Sequence, residues 1–89
     1  MIHPSQVRAA RGMLGISQTE LAMRASVGVA TVKKVENSGN DLRVMVSVLL
    51  RIQRALESAG IVFIDQDAQA GPGVRLRRPI SPPRKGRVG

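Results

Sequence analysis

The stretch Ser17-Gln18-Thr19-Glu20-Leu21-Ala22-Met23-Arg24-Ala25, then Ser26-Val27-Gly28, then Val29-Ala30-Thr31-Val32-Lys33-Lys34-Val35-Glu36-Asn37, decides how the rest of the chain is read. Ser17 three residues ahead of Glu20 reads as a capping box, in which hydroxyl and carboxylate satisfy each other's orphan backbone amides, so a helix starts at Gln18. It buries Leu21, Ala22 and Ala25 on one face and stops near Ala25, because Ser26-Val27-Gly28 reads as a tight turn. A further helix, Val29 to Asn37, turns Val32 and Val35 inward and Lys33 and Lys34 outward. Ser38-Gly39-Asn40-Asp41 breaks it.

Outward from this stretch the periodicity stays helical. Upstream, Ser5 to Leu14 places Val7, Ala10, Met13 and Leu14 on one face, with Pro4 tolerated in a first turn and Gly15 suited to the stop. Downstream, Met45, Val48, Leu49, Ile52, Ala55, Leu56 and Ala59 recur at steps of three and four, and Gly60 ends this fourth helix. Its start is either near Asp41 or capped by Ser47; Leu42, Val44 and Val46 alternate like a short extended segment, which favours Ser47. Ile61 to Ile64 and Val74 to Arg77 read as short β-strands joined by a Gly-Pro-Gly loop. Two strands alone are marginal in water, so the hairpin must pack on the helices or pair with another subunit. Pro79 to Gly89 has almost nothing to bury and reads as a disordered basic tail. The expected division is 1–60, 61–78 and 79–89.

The 89 residues, 43% hydrophobic and 22% charged, suit one small domain with appendages. Phe63 is the only aromatic residue, so Leu, Ile, Val, Met and Ala must build the core. The absence of Cys excludes a disulfide framework, a thiolate zinc site and a thiol nucleophile, and the only His is His3, so neither a metal nor a cofactor is expected. Lys and Arg number 14 against 6 Asp and Glu, a formal +8, which points to a polyanionic partner. No apolar run approaches the roughly 20 residues of a membrane span. Met1 to Arg11 lacks the order of a signal peptide, so a cytoplasmic location is expected.

Short helices joined by a tight turn have the layout of a helix-turn-helix. The run Ser17 to Ala22, with Val27, Ala30-Thr31-Val32 and Val35-Glu36-Asn37, resembles the helix-turn-helix of lambda-repressor/Cro-type (XRE-family) regulators, and the resemblance covers residues 5–60. The expected fold is therefore mainly α: a lambda-repressor-like bundle of four helices, followed by the hairpin and the tail. Small Ala22 suits the point where the third helix crosses the second, and Leu21, Ala25, Val27, Val32 and Val35 wedge the two helices at a fixed angle.

The resemblance implies that the third helix lies in the major groove of duplex DNA, with Gly28, Val29, Ala30, Lys33 and Lys34 toward base edges and Thr31 toward phosphate or base. Val29 and Ala30 offer methyl contacts to thymine, and the lysines reach guanine O6 and N7. It also implies phosphate contacts from Gln18 and Thr19 at the start of the second helix, and from Asn37, Ser38 and Asn40 after the third, with Arg43 placed to join them. Arg11 is expected to bridge Glu36 and lock the recognition helix. A homodimer on an inverted repeat follows from the same resemblance. Arg75, Arg77 and Arg78 either attract phosphate or keep an edge strand soluble.

The second reading is an antitoxin or adaptor whose 61–78 segment binds a protein partner. An enzyme is not expected, because Glu20, Glu36, Asp41, Glu57, Asp65 and Asp67 are scattered and form no convergent acid/base pair. Single-stranded nucleic acid is disfavoured by the lack of aromatic platforms. Membrane attachment lacks an amphipathic helix or lipidation site, and no residues for a small-molecule ligand stand out.

Overall fold

The computed structural model describes residues 2–38 and 46–80. Among them lie four helices, α1 (Pro4–Leu14), α2 (Gln18–Ala25), α3 (Val29–Asn37) and α4 (Val46–Ser58), and two strands, β1 (Ile61–Ile64) and β2 (Gly73–Leu76). The helices enclose one core of Ile2, Val7, Ala10, Leu21, Ala22, Ala25, Val32, Val35, Leu49, Ile52, Leu56 and Ile61. The expected inward residues of α2 and α3 are all in it. Met13 is not: at 44% exposure it falls outside the face it was assigned, which closes instead around the smaller Val7 and Ala10 with Leu14 half-buried beside them.

Helix α1 starts one residue before the expected Ser5. Pro4 occupies the first turn, where its missing N–H is no loss. His3 caps it: Nδ1 accepts the Ser5 N–H at 3.1 Å, while the His3 N–H donates to Gln6 Oε1 at 2.7 Å. Gly15 ends the helix with φ 69°, a left-handed conformation that a side chain would oppose.

At α2, Ser17 Oγ accepts the Glu20 N–H at 3.0 Å. The reciprocal half of the expected box does not form. The Glu20 carboxylate accepts from Arg24 Nε at 3.1 Å, because one turn on it meets a full positive charge rather than a neutral amide. Ser26 closes α2 at φ 56°.

Ser47 lies inside α4 and not at its cap, since the helix already includes Val46. Leu49, Ile52 and Leu56 anchor it to the core, and that packing outweighs a single capping preference. Met45 and the rest of the alternating segment before Val46 fall outside the described residues.

Gly60, at φ 109°, makes the sharp exit from α4 into β1. The strands pair antiparallel in the register Ile61 to Leu76, Val62 to Arg75, Phe63 to Val74 and Ile64 to Gly73. β2 thus runs one residue ahead of the expected Val74 to Arg77. Arg77 stands beyond the strand, its N–H donating to Gly60 O at 2.7 Å and its guanidinium to Glu57 O. The connection is longer than Gly-Pro-Gly alone. Asp67 organises it by accepting the N–H groups of Gln69 and Ala70 at 2.8 and 2.9 Å, bonds that hold its carboxyl below the ordinary range.

The hairpin packs on the helices, one of the two outcomes its marginal size allowed. Ile61 is buried in the common core, with Phe63, Val74 and Leu76 half-buried against it. Gln6, only 4% exposed, reaches across from α1 and donates its amide to Ile64 O at 3.2 Å and Gly73 O at 2.9 Å. Nothing in the local pattern of α1 announced this clamp.

Candidate nucleic-acid interface

Residues 29–37 wind at about 100° per residue, so Ala30, Lys33, Lys34 and Asn37 fall on one side and Val32, Val35 and Glu36 on the other. The structure matches that wheel: the first four are exposed, the last three buried, and Thr31 is intermediate between them. Val29, at 36% exposure, flanks the outward stripe. Neither Lys33 nor Lys34 has a hydrogen bond or ion pair among the described residues. The basic face of α3 is therefore open to a partner.

Gly28 is the N-cap of α3 and offers no side-chain cap. Its carbonyl accepts the Thr31 and Val32 amides at 3.0 and 3.2 Å, which leaves the first amides of the helix pointing outward without a covering side chain. A Cβ here would meet Thr31 Oγ1 at 3.9 Å, an ordinary contact, so neither backbone geometry nor crowding demands glycine. The cleared leading end belongs to the helix surface rather than to the fold's requirements.

What holds α3 in place is polar. Glu36, 2% exposed, receives Arg11 Nε on Oε2 at 2.7 Å and Arg11 Nη2 on Oε1 at 2.9 Å, a bidentate fork. Arg11 Nη1 also donates to Ile16 O at 3.2 Å, and Arg8 donates to the Glu36 backbone carbonyl. Gln18 Nε2 donates to Glu36 Oε1 at 3.1 Å. Burial by itself pushes the Glu36 carboxyl up; the hydrogen bonds from Arg11 and Gln18 and the charges of Arg11 and Arg8 outweigh it and hold the group below its ordinary value. The same hydrogen bond raises Arg11. α1, α2 and α3 thus meet at one carboxylate on the inner side of α3. The expected Arg11 to Glu36 pair is present, and Arg8 and Gln18 are additions that single-residue patterns did not signal.

Gln18 is half-buried rather than freely solvated, and its amide nitrogen is committed to Glu36. Its carbonyl oxygen has no partner among the described residues. Thr19 beside it is exposed. Ser38 caps α3 at its C-terminal end, its hydroxyl donating to Val35 O at 2.7 Å, and Asn37 is exposed. Asn40 and Arg43 lie outside the described residues. Across the molecule the described residues include no helix long and apolar enough to cross a membrane.

No curated protein matches the chain. The helix-turn-helix family model (HTH_3) matches residues 7–59, well over half of it, and spans the region from α1 through α4 that carries the Glu36 lock and the exposed face of α3. The chain belongs to the helix-turn-helix family of the lambda-repressor (XRE) type, whose members are DNA-binding regulators.

Proposed function

We propose that this protein is a transcriptional regulator that reads duplex DNA with α3 in the major groove, binding as a homodimer to an inverted repeat with one half-site per subunit. The observation that carries the reading is the division of α3 into a locked inner face, held through Glu36, and an outer face on which Lys33 and Lys34 have no partner within the described residues. In this arrangement Lys33 and Lys34 donate to guanine O6 and N7, Val29 and Ala30 meet thymine methyls, and the Gly28 end approaches the bases closely. Thr31 and Asn37 flank the groove. Gln18, Thr19 and Ser38, continued by Asn40 and Arg43, lie along phosphates. Gln18 contributes through its carbonyl-side geometry and the amides of the α2 N-terminus, since its own amide group is turned toward Glu36. With two lysines as the only base-edge donors, discrimination among sequences is modest.

Selection of bound sequences from random duplexes, followed by mobility shift at several salt concentrations, tests the reading. A palindromic motif with half-site centres one helical turn apart, about 34 Å, is expected. Equal binding to every duplex overturns the sequence-specific regulator. The adaptor or antitoxin reading rests on 61–78. One side of that segment is already spent on α1 and α4, so it retains only the outer surface for a partner.

A further inference from the structure

A second basic surface lies off α3. Between the end of α2 and the middle of α4 runs an open groove of about 430 Å³, lined by Arg24, Ala25, Arg51, Arg54, Ala55 and Ser58. Another, of about 350 Å³, continues from Ser58 past Ala59 and Gly60 to Arg77 and Arg78. The two share Ser58 and form one stripe. Residues 51, 54, 55 and 58 fall on one face of α4 at helical spacing, which is why one wall is continuous. No acidic side chain lines either groove. Arg24 is paired with Glu20, while Arg51 and Arg77 each hold a backbone carbonyl, at Ser26 and Glu57. Arg54 and Arg78 are exposed and have no hydrogen bond or ion pair among the described residues.

The stripe starts beside the leading end of α3. Arg51 Nη1 lies 3.2 Å from Ser26 O, and Ser26 precedes Val29 by three residues, a separation that cannot exceed about 11 Å. From Arg51 to Ser58 the helix rises about 10 Å, and the second groove extends the run. The lining includes Ala25, Ala55 and Ala59, small enough for a backbone to lie close, and the forked guanidinium groups match phosphate oxygens. An open run of this length suits a continuous chain of phosphates better than one enclosed anion.

We propose that this stripe is a second phosphodiester-binding surface, which holds the duplex backbone flanking the half-site engaged by α3. The proposal rests on the reading of α3 as the base-reading helix, and it extends the footprint without adding sequence information.

The test measures affinity against salt for the wild type, for R51Q/R54Q/R78Q and for K33Q/K34Q, on the selected duplex, on a scrambled duplex and on one trimmed to the half-sites. Removing one neutralised phosphate from the footprint lowers the slope of log K against log salt by about 0.9. The triple variant is expected to lower it by about 2 to 3, equally on selected and scrambled duplexes, with no change on the trimmed one. R54Q and R78Q alone are each expected to remove about 1, with thermal melts unchanged from the wild type because both side chains are exposed. An unchanged slope in the triple variant overturns the proposal. So does tight binding of inorganic tripolyphosphate at Arg54 with an unchanged DNA slope, which marks a small-anion site, or selective loss of an acidic protein partner with DNA binding intact. If instead K33Q/K34Q leaves the selected motif untouched, the reading of α3 fails, and the slope still decides the stripe.

Discussion

Helix α3 and the hairpin are both small elements fastened to α1, and they are fastened by different chemistry. α3 is held at Glu36 by a charged fork from Arg11, a carboxylate nearly out of water that accepts three side-chain hydrogen bonds. The hairpin is held by the neutral amide of Gln6, which bridges two strand carbonyls while its own oxygen accepts the His3 N–H. A carboxylate that is buried and paired exacts a large penalty when one partner is removed, whereas removing an amide leaves unsatisfied but uncharged groups. The element expected to meet DNA is thus the one whose orientation depends on charge. The hairpin closes the core and yields more gently.

The largest effect should come from breaking the charged anchor. R11A leaves Glu36 buried with only Gln18 and the charge of Arg8 beside it, and is expected to destabilise the fold by about 2–4 kcal/mol, read by chemical denaturation. The pH dependence sharpens the assignment. In the wild type the Glu36 value is lowered by folding, so its contribution is full above the unfolded value, about 4.3, and fades as pH falls through the folded one. R11A removes the largest interaction that lowers Glu36, so its folded value is expected to rise from that of the wild type. The gap between the two proteins should be widest near pH 7 and should close only as pH falls through the lowered folded value of the wild type.

Breaking the neutral anchor comes next. Q6A should cost about 1–3 kcal/mol, with hydrogen exchange raised in β1 and β2 before α2 and α3. Equal acceleration everywhere would show that the two attachments are not separable. The third change strengthens the scaffold between them. Ser26 is the only non-glycine residue with positive φ among the described residues, so S26G should stabilise by about 0.5–1 kcal/mol in a thermal melt. K33Q/K34Q should alter stability by less than about 0.5 kcal/mol, because neither lysine touches the fold, while weakening DNA binding.

Much of this was legible locally. The bounds of α3, Val29 to Asn37, follow from Gly28, the Val32 and Val35 spacing and the Ser38 to Asp41 break, all within a few residues of one another. The Arg11 to Glu36 pair came through the family resemblance, since 25 residues separate its members and no local rule joins them. Where several partners compete for one side chain, the sequence was mute. Glu20 fits a capping box and an Arg24 pair equally well on paper, and its charge decides for Arg24. Gln6 in α1 reads as an ordinary helix residue until the strand carbonyls, 58 and 67 positions away, are brought against it. The clamp is a product of tertiary packing and has no nearby signature.

The central claim is that α3 is a braced rod whose outer face takes the DNA. Titration of the selected duplex into labelled protein, followed by backbone amide NMR, tests it most directly. The account predicts the largest shifts at residues 28–31, 33, 34 and 37 and at the start of α2, with the core-facing Ile52 side of α4 and the hairpin little changed. Shifts confined to residues 61–78, with α3 silent, would contradict it.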